Sequence, residues 1–475
     1  MRIVRALSGL FVAVAAVLGV ASVTQAATLT VTGASTKVCQ LTGQTDWYSG
    51  ATTNAQTMTR DGLFGIDLGF PVEAGDGKLY LLFGDANPPD HPPGSFPSVP
   101  PDDAMGVTTR TAAPDSSDCL DMKLVGGGRG TFGHPVVTPA IQQGSFNVPT
   151  GGVFANDNLF AFFWTAHCTF PDPFGPNDAT PLVLPAASAT CLENAASNSL
   201  GHSVLAYAAP ANPLAFTQTS GAPAITYAPT SPMPNGFVYV TAAPPIPHRI
   251  GVDYVKGYVP PIYVFGVPRY RMSIPYLATA PQATFGDPKT WSFYAGANAS
   301  GPVWITYAQW QAGHVGSNWA PPPGAEIWAN SPNAYSISGD ERCVGEHQAS
   351  WSPELGTWLM LYTCGGWQVE ARTAPTAAGP WSKPVMLLSA VDTPSLFCTL
   401  FWNKVVGAHT CSGLVTQEPA ALSFGYFYAP YLLRRYTEAL PSPGGGKKSA
   451  KIFWLLSTWD PYQVTVMTST LTVTP

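Results

Sequence analysis

Aspartate and glutamate together number only 28 in a chain of 475 residues, so each carboxylate in unusual surroundings can be weighed by itself. Two carboxyl groups flanking a glycosidic bond are enough to hydrolyse it. One protonates the departing oxygen, and the other attacks the anomeric carbon or activates a water. Asp67 stands out first, within the apolar stretch Gly65-Ile66-Asp67-Leu68-Gly69-Phe70. Its glycines allow a ligand to approach, and a charge there is costly unless it is paired or at work. The plainer reading is a buried Asp bonded to turn amides. Asp46 precedes Trp47-Tyr48, two rings on which a sugar can stack; alone it would suit an Asx-turn. Glu346 opens an extended segment beside His347 and could face a cleft. Asp85 ends an apolar run, where it could serve hydrogen bonding alone, and Asp61 lies between Arg60 and Gly62, which suits an ion pair or turn.

Aromatic platforms accompany these acids. Trp47, Tyr48, Trp164, Tyr270, Trp351, Trp367 and Trp459 fall at the ends of strand-like runs or in loops. Sugars stack on such rings through their C–H faces, although most large aromatics in a β fold serve the core. Arg269 and Arg271 flank Tyr270 and could bond hydroxyls or pair with an acid. Metal signals are poor: the eight histidines are scattered, and His167-Cys168 would suggest zinc only if that cysteine were a thiol. No Gly-x-Ser-x-Gly elbow supports serine-hydrolase chemistry. Charged residues make up 11% of the chain with a net charge of -6, and no basic stripe exists to neutralise phosphates. Nucleic acid is therefore not an expected partner.

What positions these groups is read from the turns. The chain holds 46 glycines and 48 prolines, and helical periodicity is nearly absent. Short aromatic and β-branched runs bounded by Gly, Pro, Asn and Asp give the strand-and-turn pattern. A unit recurs in which a Gly- or Pro-led strand is followed by a strongly apolar one. Its copies include Gly65–Phe70 with Lys78–Asp85, Pro149–Val153 with Leu159–Trp164, Pro261–Gly266, Gly345–Trp351 with Trp358–Tyr362, and Phe427–Tyr431 with Ile452–Ser457. A spacing of roughly 80–100 residues exceeds that of tight propeller repeats, so long insertions must separate strands. The expectation is an all-β, five-bladed β-propeller with long inter-strand insertions; a pair of β-sandwiches fits the same pattern. The segment Pro441–Lys448, with three consecutive glycines, reads as a dispensable loop in the last blade. No cofactor is expected, and a calcium ion in a central channel stays open although no loop carries a calcium signature.

Compartment is read from the start of the chain. Arg2 and Arg5, the apolar run Leu7–Val20 and the small residues up to Ala26 form the three parts of a secretory signal. Residues 1–26 are expected to be removed, leaving 27–475 as a single propeller domain without a membrane anchor, a secreted (extracellular or periplasmic) monomer. Eight cysteines suit disulfides in such a compartment. A count does not fix connectivity. Consecutive pairing is favoured: Cys39 with Cys119, Cys168 with Cys191, Cys343 with Cys364, and Cys398 with Cys411.

Several segments carry a family resemblance in order. Thr45-Asp46, Gly65–Gly69 and Phe83-Gly84-Asp85 come first. Gly345-Glu346 with Ser352–Tyr362 and Ala371–Ala374 with Gly379–Ser382 follow, and Leu456–Val464 closes the series. Together they resemble a family of secreted five-bladed β-propellers, long filed as a domain of unknown function, that includes endo-D-arabinanases. The resemblance implies hydrolysis of arabinofuranosyl linkages in a polysaccharide, D-arabinan of arabinogalactan or lipoarabinomannan first of all. It also puts Asp46 and Asp67 together at the centre of the propeller face as the catalytic pair. This chain departs from the family where Ala86 follows Phe83-Gly84-Asp85 in place of a commoner threonine. A non-catalytic propeller that binds glycan or protein on the same face is the rival; only the enzyme requires two carboxylates converging on one cleft.

Overall fold

The computed structural model describes residues 27–46, 48–63, 65–87, 102–126, 146–166, 202–218, 236–244, 259–268, 271, 273–312, 324–327, 343–364, 368–389, 400, 426–459 and 462–475. Within these ranges the side chains of Asp85, Asn87, Asp102, Phe146, Asn147, Thr165, Ala166, His202, Gln218, Tyr426 and Trp459 are not described. The expected signal segment and the Cys168–Cys191 and Cys398–Cys411 pairings fall outside the described residues.

Five antiparallel sheets form a ring. The chain enters through β1 (Thr28–Gln40), which belongs to the last sheet, and a short helix α1 (Thr57–Asp61). Blade I holds β2 (Gly65–Glu73), β3 (Leu79–Asn87), β4 (Asp102–Thr108) and β5 (Lys123–Leu124). Blade II holds β6 (Phe146–Ala155), β7 (Asn158–Ala166), β8 (His202–Ala208) and β9 (Thr217–Gln218). Blade III has five strands, β10 (Tyr239–Ala243), β11 (Ile262–Val267), β12 (Tyr276–Ala280), β13 (Ser292–Asn298) and β14 (Gly301–Thr306), followed by α2 (Tyr307–Ala312). Blade IV holds β15 (Val344–Ser352), β16 (Thr357–Cys364), β17 (Gln368–Ala374) and β18 (Val385–Ser389). Blade V holds β19 (Tyr426–Leu432), β20 (Glu438–Leu440), β21 (Lys448–Trp459) and β22 (Gln463–Thr474), with β1 outermost. This is the five-bladed propeller that the recurring strand unit predicts, and the sandwich alternative is set aside.

Closure is non-local. β1 pairs with β22 from Thr28↔Thr474 to Gln40↔Thr465, so the two ends of the fold share one blade. Cys39–Cys119, with Cα atoms 5.7 Å apart, adds a covalent tie from β1 to the segment before β5 of blade I. Apolar layers fill the gaps between neighbouring blades: Phe70 meets Tyr431, Phe162 meets Phe285 and Trp291, and Tyr263 meets Trp358. Each fully buried ring of this kind contributes about 1.5–3 kcal/mol. The aromatic second strands that mark the repeat in sequence contribute Phe162, Tyr263 and Trp358 to these layers, while Phe70 and Tyr431 come from first strands. The glycine-rich segment forms the β20–β21 turn, in which the Lys447 N–H donates to the Gly444 carbonyl at 3.2 Å.

The first strand of each blade, β2, β6, β10, β15 and β19, stands at one end of its sheet. These five touch one another in a closed circuit and so line the axis. Contacts near their first residues place all five starts at the same end of the molecule: Asp67 meets Tyr428, Arg271 meets Tyr428 and Val344, Tyr239 pairs with Val267 just before the Arg271 turn, and Val148 lies against Gly84, the partner of Asp67. Four of them are bulged near that start: β2 around Asp67–Gly69, β6 at Thr150, β15 at Gly345-Glu346, and β19 just after Tyr428. Bulges re-aim side chains and cluster beside active sites.

Candidate active site

Asp67 lies on β2, 5% exposed, between two register shifts. The backbone beside it is left-handed, with φ of 61° at Leu68 and 87° at Gly69. Glycine is required at 69: a Cβ there would stand 2.9 Å from Phe83 Cε1 as well as suffer the positive φ. Ser457 on β21 pins the bulge, its Oγ accepting from the Leu68 N–H at 2.7 Å. The carboxylate itself accepts a 2.7 Å hydrogen bond on Oδ2 from the Tyr428 hydroxyl, which reaches across from blade V.

Glu346 opens on the same axis from blade IV, 1% exposed. Its Oε1 accepts from Arg271 Nη2 at 3.0 Å. Arg271 belongs to the turn between β11 and β12, with φ at 57°, and its N–H donates to the Val344 carbonyl at 2.9 Å. Its guanidinium carbon also stands 5.7 Å from the Tyr428 ring centroid, a cation–π distance. Gly345 makes room for this arm, since a Cβ there would meet Arg271 Cγ at 2.7 Å. Asp67, Tyr428, Arg271 and Glu346 thus form one polar chain that crosses blades I, V, III and IV.

Beneath it lies a buried aromatic floor. The hydroxyls of Tyr239 and Tyr431 are 2.7 Å apart. Burial first, then the negative charges of Glu346 and Asp67, hold the Tyr431 phenol well above its ordinary pKa despite the bond from Tyr239. Tyr431 therefore senses both carboxylates and stays neutral. His347, fully buried, is pushed down to about 4, chiefly by burial.

Asp46 is held differently. Its carboxylate pairs with Lys37 Nζ at 2.7 Å and accepts from the Tyr48 and Ser49 N–H groups, each at 3.0 Å. Burial works against ionisation, yet the Lys37 ammonium and those amides leave the pKa below the ordinary range. Lys37 is on β1, the outermost strand of blade V. The Asx-turn weighed from sequence is present, and Asp46 is anchored to the rim strand while Asp67 is anchored to the inner ones. Its loop runs from the end of β1 to the start of β2, at the same end of the molecule as Asp67.

The remaining sequence candidates divide. Asp61 closes α1, 8% exposed, and burial raises its pKa against the Arg60 charge. Asp85 lies on β3, and Trp459 ends β21. Trp164 is half-buried on β7, where it packs against two interblade clusters. Tyr48 is exposed at the Asp46 turn. Trp351 is not brought to the site: it lies five residues further along β15 than Glu346, which at about 3.3 Å per residue puts it about 16 Å away, at the opposite end of the blade. Trp47, Arg269, Tyr270 and Trp367 lie outside the described residues. Sequence reading missed Tyr428, Tyr431 and Tyr239 as site residues. Counting from the start of each inner strand would have set Tyr428, the third residue of β19, in the column of Asp67 and Glu346, the third residues of β2 and β15.

Among the described residues one group has metal-ligating types at suitable spacing, Cys343, Cys364 and Glu370. Its two sulfurs are joined in the expected disulfide, with Cα atoms 4.8 Å apart. A cavity at the opposite end of the axis is lined by Glu73, Gln348, Leu432 and Arg434 among others. Its carboxylate, Glu73, lies 3.7 Å from Arg434 and 3.6 Å from Arg435, and among the described residues no second acid lines it.

Residues 254–468 match the family described as Domain of unknown function (DUF4185). No curated protein matches the chain. Among solved structures, a putative hydrolase from Bacteroides ovatus is similar at 12% identity and a TM-score of 0.46, over 87% of each chain. A GH43_1 enzyme from Xanthomonas citri is similar at 9% identity and a TM-score of 0.38, over 87% of this chain and 91% of that one. An alpha-L-arabinofuranosidase from Podospora anserina is similar at 9% identity and a TM-score of 0.36, over 92% of this chain and 97% of that one.

Proposed function

We propose that this protein is a secreted glycoside hydrolase that cleaves arabinofuranosyl linkages, acting within D-arabinan of the arabinogalactan or lipoarabinomannan type. The observation that carries the reading is Asp67, a buried carboxylate on a bulged inner strand at the mouth of the axis, which accepts a hydrogen bond from the Tyr428 hydroxyl. The order of sequence motifs supplies the substrate class. In this reading Asp67 is the acid that protonates the departing oxygen. Burial favours the protonated form such an acid needs. Asp46 is its ionised partner, kept charged by Lys37 and two amides, and it activates water or attacks the anomeric carbon. Glu346 is less suited to that part because it is closed off and neutralised by Arg271. The Arg271–Glu346 pair instead presents guanidinium N–H groups to sugar hydroxyls.

The test is incubation with a panel of purified arabinans, followed by chromatography of the products. A ladder of oligosaccharides is the expected result. Asp67→Asn and Asp46→Asn should each lower the rate by about 10²–10⁴-fold while circular dichroism stays unchanged. Binding without any cleavage by the wild-type protein would favour the non-catalytic propeller. Wild-type rates in both Asn variants would remove the pair.

A further inference from the structure

We propose that Tyr428 is a positioning residue that aims the Asp67 carboxyl and decides which of its oxygens carries the transferable proton; this rests on the reading of Asp67 as the acid. Three observations support it. The Tyr428 hydroxyl donates to Asp67 Oδ2 at 2.7 Å within a buried contact between blades I and V. A hydroxyl that donates to Oδ2 leaves the acid proton to Oδ1, so the carboxyl has one working orientation. The backbone is shaped to deliver the ring: β19 is bulged after Tyr428, and Ala429 adopts a left-handed φ of 55°, a conformation that costs a non-glycine residue energy. Finally, Arg271 stands over the same ring, 5.7 Å from its centroid, while its Nη2 holds Glu346. A cation facing the ring strengthens the phenol as a donor.

Around the pair, the charged and titratable groups among the described residues include Arg271 from the β11–β12 turn, Glu346 and the uncharged His347 on β15, Tyr431 on β19 and Tyr239 on β10. A donor to a carboxylate stabilises its charged form, so removing it raises the pH at which Asp67 loses its proton.

The experiment is a pH–rate profile on purified arabinan for the wild type, Tyr428→Phe, Asp67→Asn and the double variant. For Tyr428→Phe, kcat should fall about tenfold with KM little changed, because the substrate is still bound while the acid is misaimed. The basic limb, where the acid deprotonates, should move upward by about one pH unit. The double variant should be no slower than Asp67→Asn, since Tyr428 acts only through Asp67. Replacing Tyr428 by 4-aminophenylalanine keeps a donor at the end of the ring and should hold the basic limb near its wild-type position, which also provides a test if the Phe variant folds poorly. A Phe profile that superimposes on the wild type, or a 4-aminophenylalanine profile displaced by a full unit, overturns the inference while the hydrolase reading stands. Wild-type activity in Asp67→Asn, or no arabinan cleavage by the wild-type protein, removes that reading and this inference with it.

Discussion

His347 is fully buried on β15 between Glu346 and Gln348, with Nδ1 2.9 Å from the Gly345 carbonyl oxygen and its ring 5.9 Å from that of Tyr239. Burial is the main influence on it and disfavours the imidazolium. The Gly345 and Phe265 carbonyls and the Glu346 charge offset burial only in part, and the pKa falls to about 4 from an ordinary 6.5. In the unfolded chain the ring takes up a proton near pH 6.5, whereas in the folded protein it resists doing so until about pH 4. Over that window the unfolded state binds more protons, so stability is intact above about pH 6.5 and is lost progressively as the pH falls. At about 1.36 kcal/mol per pH unit, acidification from about pH 7 to about pH 5 costs about 2 kcal/mol through this ring alone. The assay is urea unfolding of the wild type and His347→Gln at both pH values. Glutamine cannot titrate and keeps an N–H for the Gly345 carbonyl. The wild type should lose about 2 kcal/mol more than the variant on acidification, and contributions from Asp46 and the other acids cancel in the difference. Equal losses would refute the claim that the central floor excludes a charged imidazole.

Two backbone predictions follow from the same geometry. Gly69→Ala should destabilise by about 2 kcal/mol or more, since φ is left-handed and the new Cβ meets the Phe83 ring; urea unfolding reads the loss, and an unchanged midpoint would show that the bulge relaxes freely. Shortening Gly444-Gly445-Gly446 by one residue should leave both the unfolding midpoint and arabinan cleavage unchanged, because the β20–β21 turn is exposed and carries no apolar anchor. Loss of soluble protein would overturn that expectation.

The propeller was legible because its blades repeat a local pattern. Each second strand must be apolar on both faces to fill the layers between neighbouring blades, and runs such as Leu79–Phe83 and Trp358–Tyr362 show this without any knowledge of contacts. Asp67 was legible for a related reason: an acid among glycines and apolar residues has to be explained by pairing or by work. The Cys39–Cys119 and Cys343–Cys364 pairings were also within reach, as neighbours in a consecutive scheme. Three features belonged to the tertiary structure. Thr28–Gln40 reads as an ordinary alternating strand, and nothing local says that its partner is Gln463–Thr474 at the other end of the chain. Tyr428 reads as core, since only the arrangement of blades I and V brings its hydroxyl to Asp67. Asp46 carries the same aromatic neighbours whether it works at the axis or at the rim, and Lys37, nine residues earlier, becomes its partner only through the course of the chain after β1. Strand pattern and residue type are properties of short segments, set by burial alone. Which hydroxyl or cation meets a carboxylate depends on how five separately formed sheets close into a ring, and that is set by packing over the whole chain.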